Sequence, residues 1–552
     1  MSRATVSAAR IERGGLAPAA FSSSTTHLPQ NQEPSMMKVL HPTKLVAAAT
    51  LAFSVLASPL AHASKDVTFA VAIALETLDP YNTNSTLNQA AGKAYYEGLF
   101  EFDKDLKIQN LLATGYEVSP DGLVYTIKLR DGIKFHDGTD FNADAVKANF
   151  DRVANPENRL SRYTQFNRVA KTEVVDPHTV RITLKEPFSA FINALAHPAA
   201  MMISPAALQK YGKEIGFHPV GTGPFKFVEW KPAEYLKVEK FDGYWRKGYP
   251  KVDTLTFRTV TDNNTRAAVV QTGEAQFAFP IPYEQAAVLA KNDKLDVVDH
   301  KNSIMARYLS MNTRVKPFDN VKVRQAINYA INKQALAKVA FNGYATVVDG
   351  VVPQGVDFAY KIGQWPYDPA KARALLKEAG YPNGFETSLW SAYNDGTSVK
   401  VVQFLQQQLA QVGIKASVEV LESGQRVQRV QQVQKPEDAK VRMYYAGWSS
   451  STGEADWGLR PLLSTAAFPP VMNNISYYST PKVDDSLMKA LATTDRSEKA
   501  ELYKNAQETI WNDAPWAFLV TQNNVYVKSK NLSGVYVEPD TSFWFGDIDL
   551  KQ

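Results

Sequence analysis

The chain has no cysteine. Disulfides, thiol nucleophiles, zinc–thiolate sites and iron–sulfur clusters are excluded, and an exported protein of this length does not need crosslinks to hold a core. Histidine is sparse, with eight in 552 residues. His27, His41 and His62 fall in the first 63 residues; His136, His178, His197, His218 and His300 are too scattered for metal-ligand spacing. There is no G-x-S-x-G, no S-x-x-K paired with a K-T-G, and no H-E-x-x-H, so the common hydrolase signatures are missing. Charge of one sign is also lacking. The whole chain is +5; residues 1–63 hold five basic and two acidic side chains (+3), which leaves +2 for residues 64–552. That removes a strong case for nucleic acid or an anionic membrane surface as partner. No internal repeat is visible, and the apolar run Leu45–Leu56 is too short to span a bilayer.

That run belongs to a leader. Met1–Ser35 is rich in Ser, Ala, Thr and Pro without periodicity. A second start at Met36-Met37 is followed by Lys38, His41 and Lys44, the apolar run, and Ala61-His62-Ala63. A basic segment, a short apolar segment and A-x-A describe a secretory signal peptide, with cleavage expected after Ala63. Met1–Ser35 is then an upstream extension. With no cysteine after the apolar run, a lipid anchor is not expected, and a soluble periplasmic protein is.

Residues 64–552 exceed what one core usually holds, so at least two domains are expected. Strand-like Val67–Ala74 precedes a helix capped by Ser85 or Asn88 and reaching about Phe100. A β-rich block follows: a hairpin of Tyr116–Val118 and Leu123–Leu129 about Ser119-Pro120-Asp121-Gly122, then strands at Val169–Val175 and Thr179–Leu184. Asn142 caps a helix over Ala143–Val153. Strand and helix alternate from Val252. Beyond a strand at Ile304–Met311 come long helical patterns, among them Asn320–Ile331, Asp368–Ala379 and Val399–Val412. Alternation of this kind argues for two α/β lobes. Strand-like sequence at Ile304–Met311 and Trp516–Val527 predicts two connections between them, hence a hinge and a cleft.

The most informative stretch is Val441–Trp457. A short apolar strand, Met443–Ala446, runs into Trp448, Ser449, Ser450, Ser451, Thr452 and Gly453, then Glu454, Asp456 and Trp457. Hydroxyls and free amides at a strand end, flanked by indoles, fit a small polar ligand. Taken alone, an ordinary Ser/Gly loop capped by a structural Trp is the simpler reading. Glu454 and Asp456 read as turn caps or as acid/base groups. Tyr81, Asn82, Asn84 and Ser85 follow a strand end, where free N–H groups either take a carboxylate or cap a helix. Arg307 and Arg426 read as carboxylate partners or as surface residues. Tyr393 and Asn394 follow a strand end in the second lobe and are placed toward the same cleft.

Several motifs together carry a resemblance. They are Thr77-Leu78-Asp79-Pro80, Glu97-Gly98-Leu99-Phe100, Leu129-Arg130-Asp131-Gly132-Ile133-Lys134-Phe135-His136-Asp137-Gly138-Thr139, Gly221-Thr222-Gly223-Pro224, Gln271-Thr272-Gly273-Glu274 and Val323-Arg324-Gln325-Ala326-Ile327. Over essentially all of residues 64–552 the chain resembles the family 5 solute-binding proteins of ABC importers, the peptide and nickel class. The resemblance implies a two-lobe α/β periplasmic binding protein fold: lobe I over 64–305 and 524–552 with an inserted β-rich subdomain at about 106–218, and lobe II over 306–523. Within the family it is nearest to the glutathione-binding branch, through stretches such as Phe277–Ala286 and Gly447–Trp457. It implies glutathione as ligand, permease subunits of an ABC importer as partner, a monomer, no cofactor, no metal and no enzyme activity. Di- or oligopeptides and haem are alternative ligands on the same fold; a periplasmic enzyme or chaperone is a more distant alternative. By this resemblance dipeptide binders place an aspartate at Ser451 and an arginine near Ser391, both absent here, and the histidine expected of nickel binders is not found in Val441–Trp457. For such a ligand the expected roles are Ser449–Gly453 and Trp448 against its backbone, Arg307 or Arg426 at a carboxylate, Glu454 or Asp456 at the ammonium, and Tyr81 and Asn82 in closure from lobe I.

Overall fold

A computed structural model describes residues 64–551. The extension, the signal peptide and its cleavage point lie outside the described residues. Among the described residues no helix is long and apolar enough to cross a membrane.

Two sheets organise the chain. The first has seven strands in the spatial order Leu295–His300, Asn524–Ser529, Phe277–Phe279, Asp66–Val71, Thr254–Thr259, Tyr235–Lys240 and Phe225–Lys231. The second has six, in the order Ala345–Val347, Trp516–Gln522, Met305–Met311, Met443–Ser449, Phe385–Ser391 and Ile414–Val420. The chain passes from the first sheet to the second between His300 and Met305, and back between Gln522 and Asn524. Helices cover the strand faces, and the central strands are apolar on both sides, as such layering requires. Val67, Phe69, Ala70 and Val71 are all buried; Phe69 stacks on Phe277 at 4.4 Å and meets Phe543 and Phe257 edge-on. In the second sheet Tyr308 stacks on Trp516 with ring centres 3.9 Å apart.

The β-rich block forms a separate antiparallel sheet of four strands, Ala113–Val118, Val124–Leu129, Thr179–Leu184 and Val169–Asp176 in spatial order. Asn142 caps the helix Ala143–Val153 by accepting from Ala145 N–H, as its position in the sequence predicts. One element is shorter than expected. The helix capped by Ser85 spans Thr86–Gly92 and does not reach Phe100. The Gly/Pro turn at 221–224 takes its place: Gly223 N–H donates to the Tyr95 carbonyl and Phe225 N–H to that of Ala94, acceptors that a continuing helix would use itself. A Cβ on Gly221 would stand 2.0 Å from the Tyr95 oxygen, so this approach requires glycine.

The same turn encloses Glu97. Its carboxylate is buried and accepts from Thr222 Oγ1 (2.8 Å), the Tyr244 hydroxyl (2.8 Å) and Trp245 Nε1 (3.0 Å). Burial outweighs these bonds and pushes the acid up from 4.5 to about 7. The folded protein therefore keeps a proton that the unfolded chain releases between pH 4.5 and 7. The sign follows: this stabilisation is full below pH 4.5 and is lost as pH rises through 7, about 3 kcal/mol at most. Glu97→Gln, neutral throughout, is expected to lose less stability than wild type between pH 5 and pH 8 in denaturant unfolding. Parallel losses in the two proteins would refute the assignment.

Candidate ligand-binding site

A large cavity lies between the two sheets, at the carboxyl end of Met443–Ser449. Its volume is about 940 Å³, near the upper end of small-ligand sites. One wall comes from the first lobe: Ile73, Glu76, the run Asn84–Leu87, Gln89, Arg162, Gln165 and His197. The other comes from the second sheet and the segments beside it: Met305, Tyr393, Arg426, Gly447, Trp448, Ser449, Ser451 and Trp457.

The strand Met443–Ser449 carries most of the second wall because it is interior to its sheet and pairs antiparallel with Met305–Met311, setting Gly447 opposite Arg307. Arg307 lies over the Tyr393 ring at 4.8 Å and donates through Nε and Nη2 to Gln522 Oε1. A Cβ on Gly447 would come within 2.6 Å of Arg307 Nη1, so glycine there makes room for the guanidinium. Nη1 itself is buried and has no partner among the described residues. Arg426, at the end of the short helix Ser423–Arg426, lines the cavity with a buried Nε that is likewise unpartnered. Ser449 Oγ is a third such group. Trp448 donates from Nε1 to the Trp457 backbone carbonyl at 2.6 Å, which fixes the Trp448 indole on the wall. Ser451 faces His197 across the cleft at 3.1 Å.

Not all of the stretch faces this cavity. Ser450 is buried, and Gly458 packs against it. Thr452 offers its carbonyl to Asn193 Nδ2 at 3.0 Å. Gly453, with φ +67°, closes a turn by donating to the Ser450 carbonyl and lines a different hollow together with Glu454. The acidic pair departs most from the sequence reading. Glu454 is buried and bound to Lys499 Nζ (2.8 Å) and the Tyr503 hydroxyl (3.0 Å). Asp456 is buried in a bidentate pair with Arg460, at 2.8 and 2.7 Å. Both carboxylates are already neutralised inside the fold and turned from the cavity, so an ammonium group would have to displace a buried cation to reach them.

The first lobe is rearranged in the same way. Tyr81 is in the core, and its N–H donates to the Asp79 carboxylate at 3.0 Å, itself paired with Arg152. Asn82 is exposed and accepts from Ser161. Asn394 is exposed and donates to Glu422. None of these three lines the cavity. Asn84 and Ser85, read from the same stretch of sequence, do line it. Glu76, Arg162, Gln165 and His197 line it as well and are not singled out by the sequence, because each lies in an irregular segment or at a helix end with no local signature. Arg162 donates from Nε to the Thr83 carbonyl, and burial lowers it to about 10, so it is charged at neutral pH. Glu76 is exposed at the rim. Among the described residues no cluster of three His, Cys, Asp or Glu side chains is placed to hold a metal ion.

Comparison with known proteins agrees with this architecture. Residues 107–469 match the model of the bacterial extracellular solute-binding proteins, family 5. The chain belongs to this family. The family 5 protein is 59% identical over 92% of its length to the glutathione-binding protein GsiB of Pectobacterium atrosepticum, of which 98% is covered. It is 58% identical over 94% of its length to GsiB of Escherichia coli O157:H7, covered in full. Among solved structures it resembles a periplasmic binding protein, DppA, of Helicobacter pylori in complex with the peptide STSA, at 30% identity and TM-score 0.73 over 87% of this chain and 98% of that one. HbpA2 of Haemophilus parasuis superposes with TM-score 0.77 at 28% identity, over 88% of this chain and all of that one. The family 5 protein is thus a two-lobe α/β solute-binding protein, and its relatives are binding proteins rather than enzymes.

Proposed function

We propose that this protein is the periplasmic receptor of an ABC importer, that its ligand is glutathione, and that it delivers glutathione to permease subunits in the inner membrane as a monomer. The observation that carries the reading is a set of unspent buried donors: Arg426 Nε and Ser449 Oγ on the second wall, and Arg307 Nη1 behind Gly447. Buried donors without acceptors cost free energy unless a ligand satisfies them. Glutathione offers two carboxylates, two amide carbonyls and one ammonium group. Two arginines, Arg162 and Arg426, line the cavity against one carboxylate, Glu76, with Arg307 lying behind Gly447 and Tyr393. That balance suits a ligand of net charge −1. Glu76 takes the ammonium role that Glu454 and Asp456 are not free to fill. The 59% identity to GsiB supports the same ligand.

Lobe I (64–305 and 524–552, with the inserted subdomain at about 106–218) and lobe II (306–523) close on the ligand about the two crossings. The closed state binds more tightly, so ligand shifts the population toward it. Isothermal titration of the purified protein with glutathione, an ordinary dipeptide and nickel is the test. Saturable binding is expected for glutathione alone, with a matching rise in melting temperature. Binding of the dipeptide in preference to glutathione would overturn the assignment in favour of a peptide receptor.

A further inference from the structure

Ser451 and His197 meet across the cleft, one from each wall. The helix Phe191–Ala196 ends at His197, whose Nδ1 accepts the N–H of Ala199 at 3.0 Å. An imidazole that accepts at Nδ1 carries its proton on Nε2. Nε2–H therefore donates to Ser451 Oγ at 3.1 Å. The ring is buried, and burial followed by the charge of Arg162 holds it uncharged, well below its ordinary range. A serine hydroxyl has one proton and two lone pairs. One lone pair is used by His197, and no acceptor for the proton is present among the described residues. The proton is left to point at whatever occupies the cavity.

We propose that His197 is a positioning residue that fixes Ser451 as a hydrogen-bond donor to the ligand, so that this end of the cavity selects a carboxylate and rejects an ammonium group. An ammonium here reaches only the second lone pair of Ser451, leaves the hydroxyl proton without an acceptor and is repelled by Arg162, whose charge already acts on His197. A carboxylate takes the Ser451 proton and gains from Arg162. The assignment deepens the glutathione reading and rests on it for the identity of the carboxylate, while the polarity of the His197–Ser451 pair stands without it.

The test exploits two nearly isosteric replacements. His197→Gln keeps an N–H donor toward Ser451, and His197→Glu turns it into an acceptor. Expected from titration calorimetry is retention of glutathione affinity within about threefold for His197→Gln and a loss of more than about thirtyfold for His197→Glu. Ser451→Ala is expected to lose about tenfold, and amidation of the carboxylate that Ser451 reads should then cost this variant less than it costs wild type. Melting temperatures near wild type separate this from loss of fold. Equal losses for the Gln and Glu variants, or no coupling between Ser451→Ala and either amide, would overturn the proposal. A long-range proton–nitrogen spectrum of histidine-labelled protein supplies the ligand-free arm. A neutral Nε2–H ring at His197 is expected; an Nδ1–H ring or an imidazolium overturns the polarity even if the ligand is not glutathione. If wild type does not bind glutathione but the ring is neutral and Nε2-protonated, the ligand reading fails and the polarity assignment survives.

Discussion

Arg426→Ala and Arg307→Ala are each expected to weaken glutathione binding by about thirtyfold or more. Arg426 lines the cavity with a buried N–H that has no partner, and Arg307 holds another just behind the lining residue Gly447. A buried charge-assisted hydrogen bond lost from one side costs about 2–5 kcal/mol, much of it because the ligand carboxylate stays desolvated. The two arginines differ in what else they hold. Arg307 is tied to Gln522 and Tyr393, whereas Arg426 makes one long bond, 3.4 Å, to the Ala392 carbonyl. Arg307→Ala therefore changes the second sheet as well, and Arg426→Ala is the cleaner test. Gln522→Ala separates the two parts of the Arg307 effect: it frees the guanidinium while leaving its charge, and a loss of less than about tenfold is expected. If calorimetry shows both arginine variants binding as wild type does, neither carries a carboxylate.

Lys499→Ala is expected to destabilise the fold by about 3–5 kcal/mol, because it strands the buried Glu454 carboxylate with only the Tyr503 hydroxyl as donor. Burial already pushes the Glu454 acid up, against the pull of Lys499, so the lone carboxylate would hold a proton in the folded state. Replacing both partners with apolar side chains, as in Glu454→Leu with Lys499→Met, is expected to cost clearly less than the single change, since the desolvation penalty goes with the charges. Denaturant unfolding of the three proteins checks the order. Glutathione affinity should be kept in the double variant if Glu454 plays no part in ammonium binding; a loss of about tenfold or more would return the ammonium to Glu454.

The fold was largely legible in the sequence because its signals are local. Asn142 caps its helix with its own side chain, and Asp368-Pro369 opens another. Strands such as Phe225–Lys231 and Tyr235–Lys240 are bounded by turn residues. The helix after Ser85 was overextended because its stop is a contact with the turn at 221–224, more than a hundred residues away.

The candidate site divides along the same line. By itself the sequence determined the family, the paired α/β lobes with two crossings, and the strand Met443–Ser449 with Trp448, Ser449 and Ser451 at its polar end. These follow from periodicity, turn chemistry and contiguous motifs, which short-range interactions enforce. Only the tertiary structure decided which charges face the cavity. Glu454 and Asp456 look free in the sequence, yet Lys499 and Arg460 neutralise them inside the fold. Arg162, His197 and Glu76 look unremarked, yet they stand on the opposite wall. A charge is available to a ligand when the fold leaves its donors or lone pairs unspent, and that depends on partners from distant segments that no local pattern encodes.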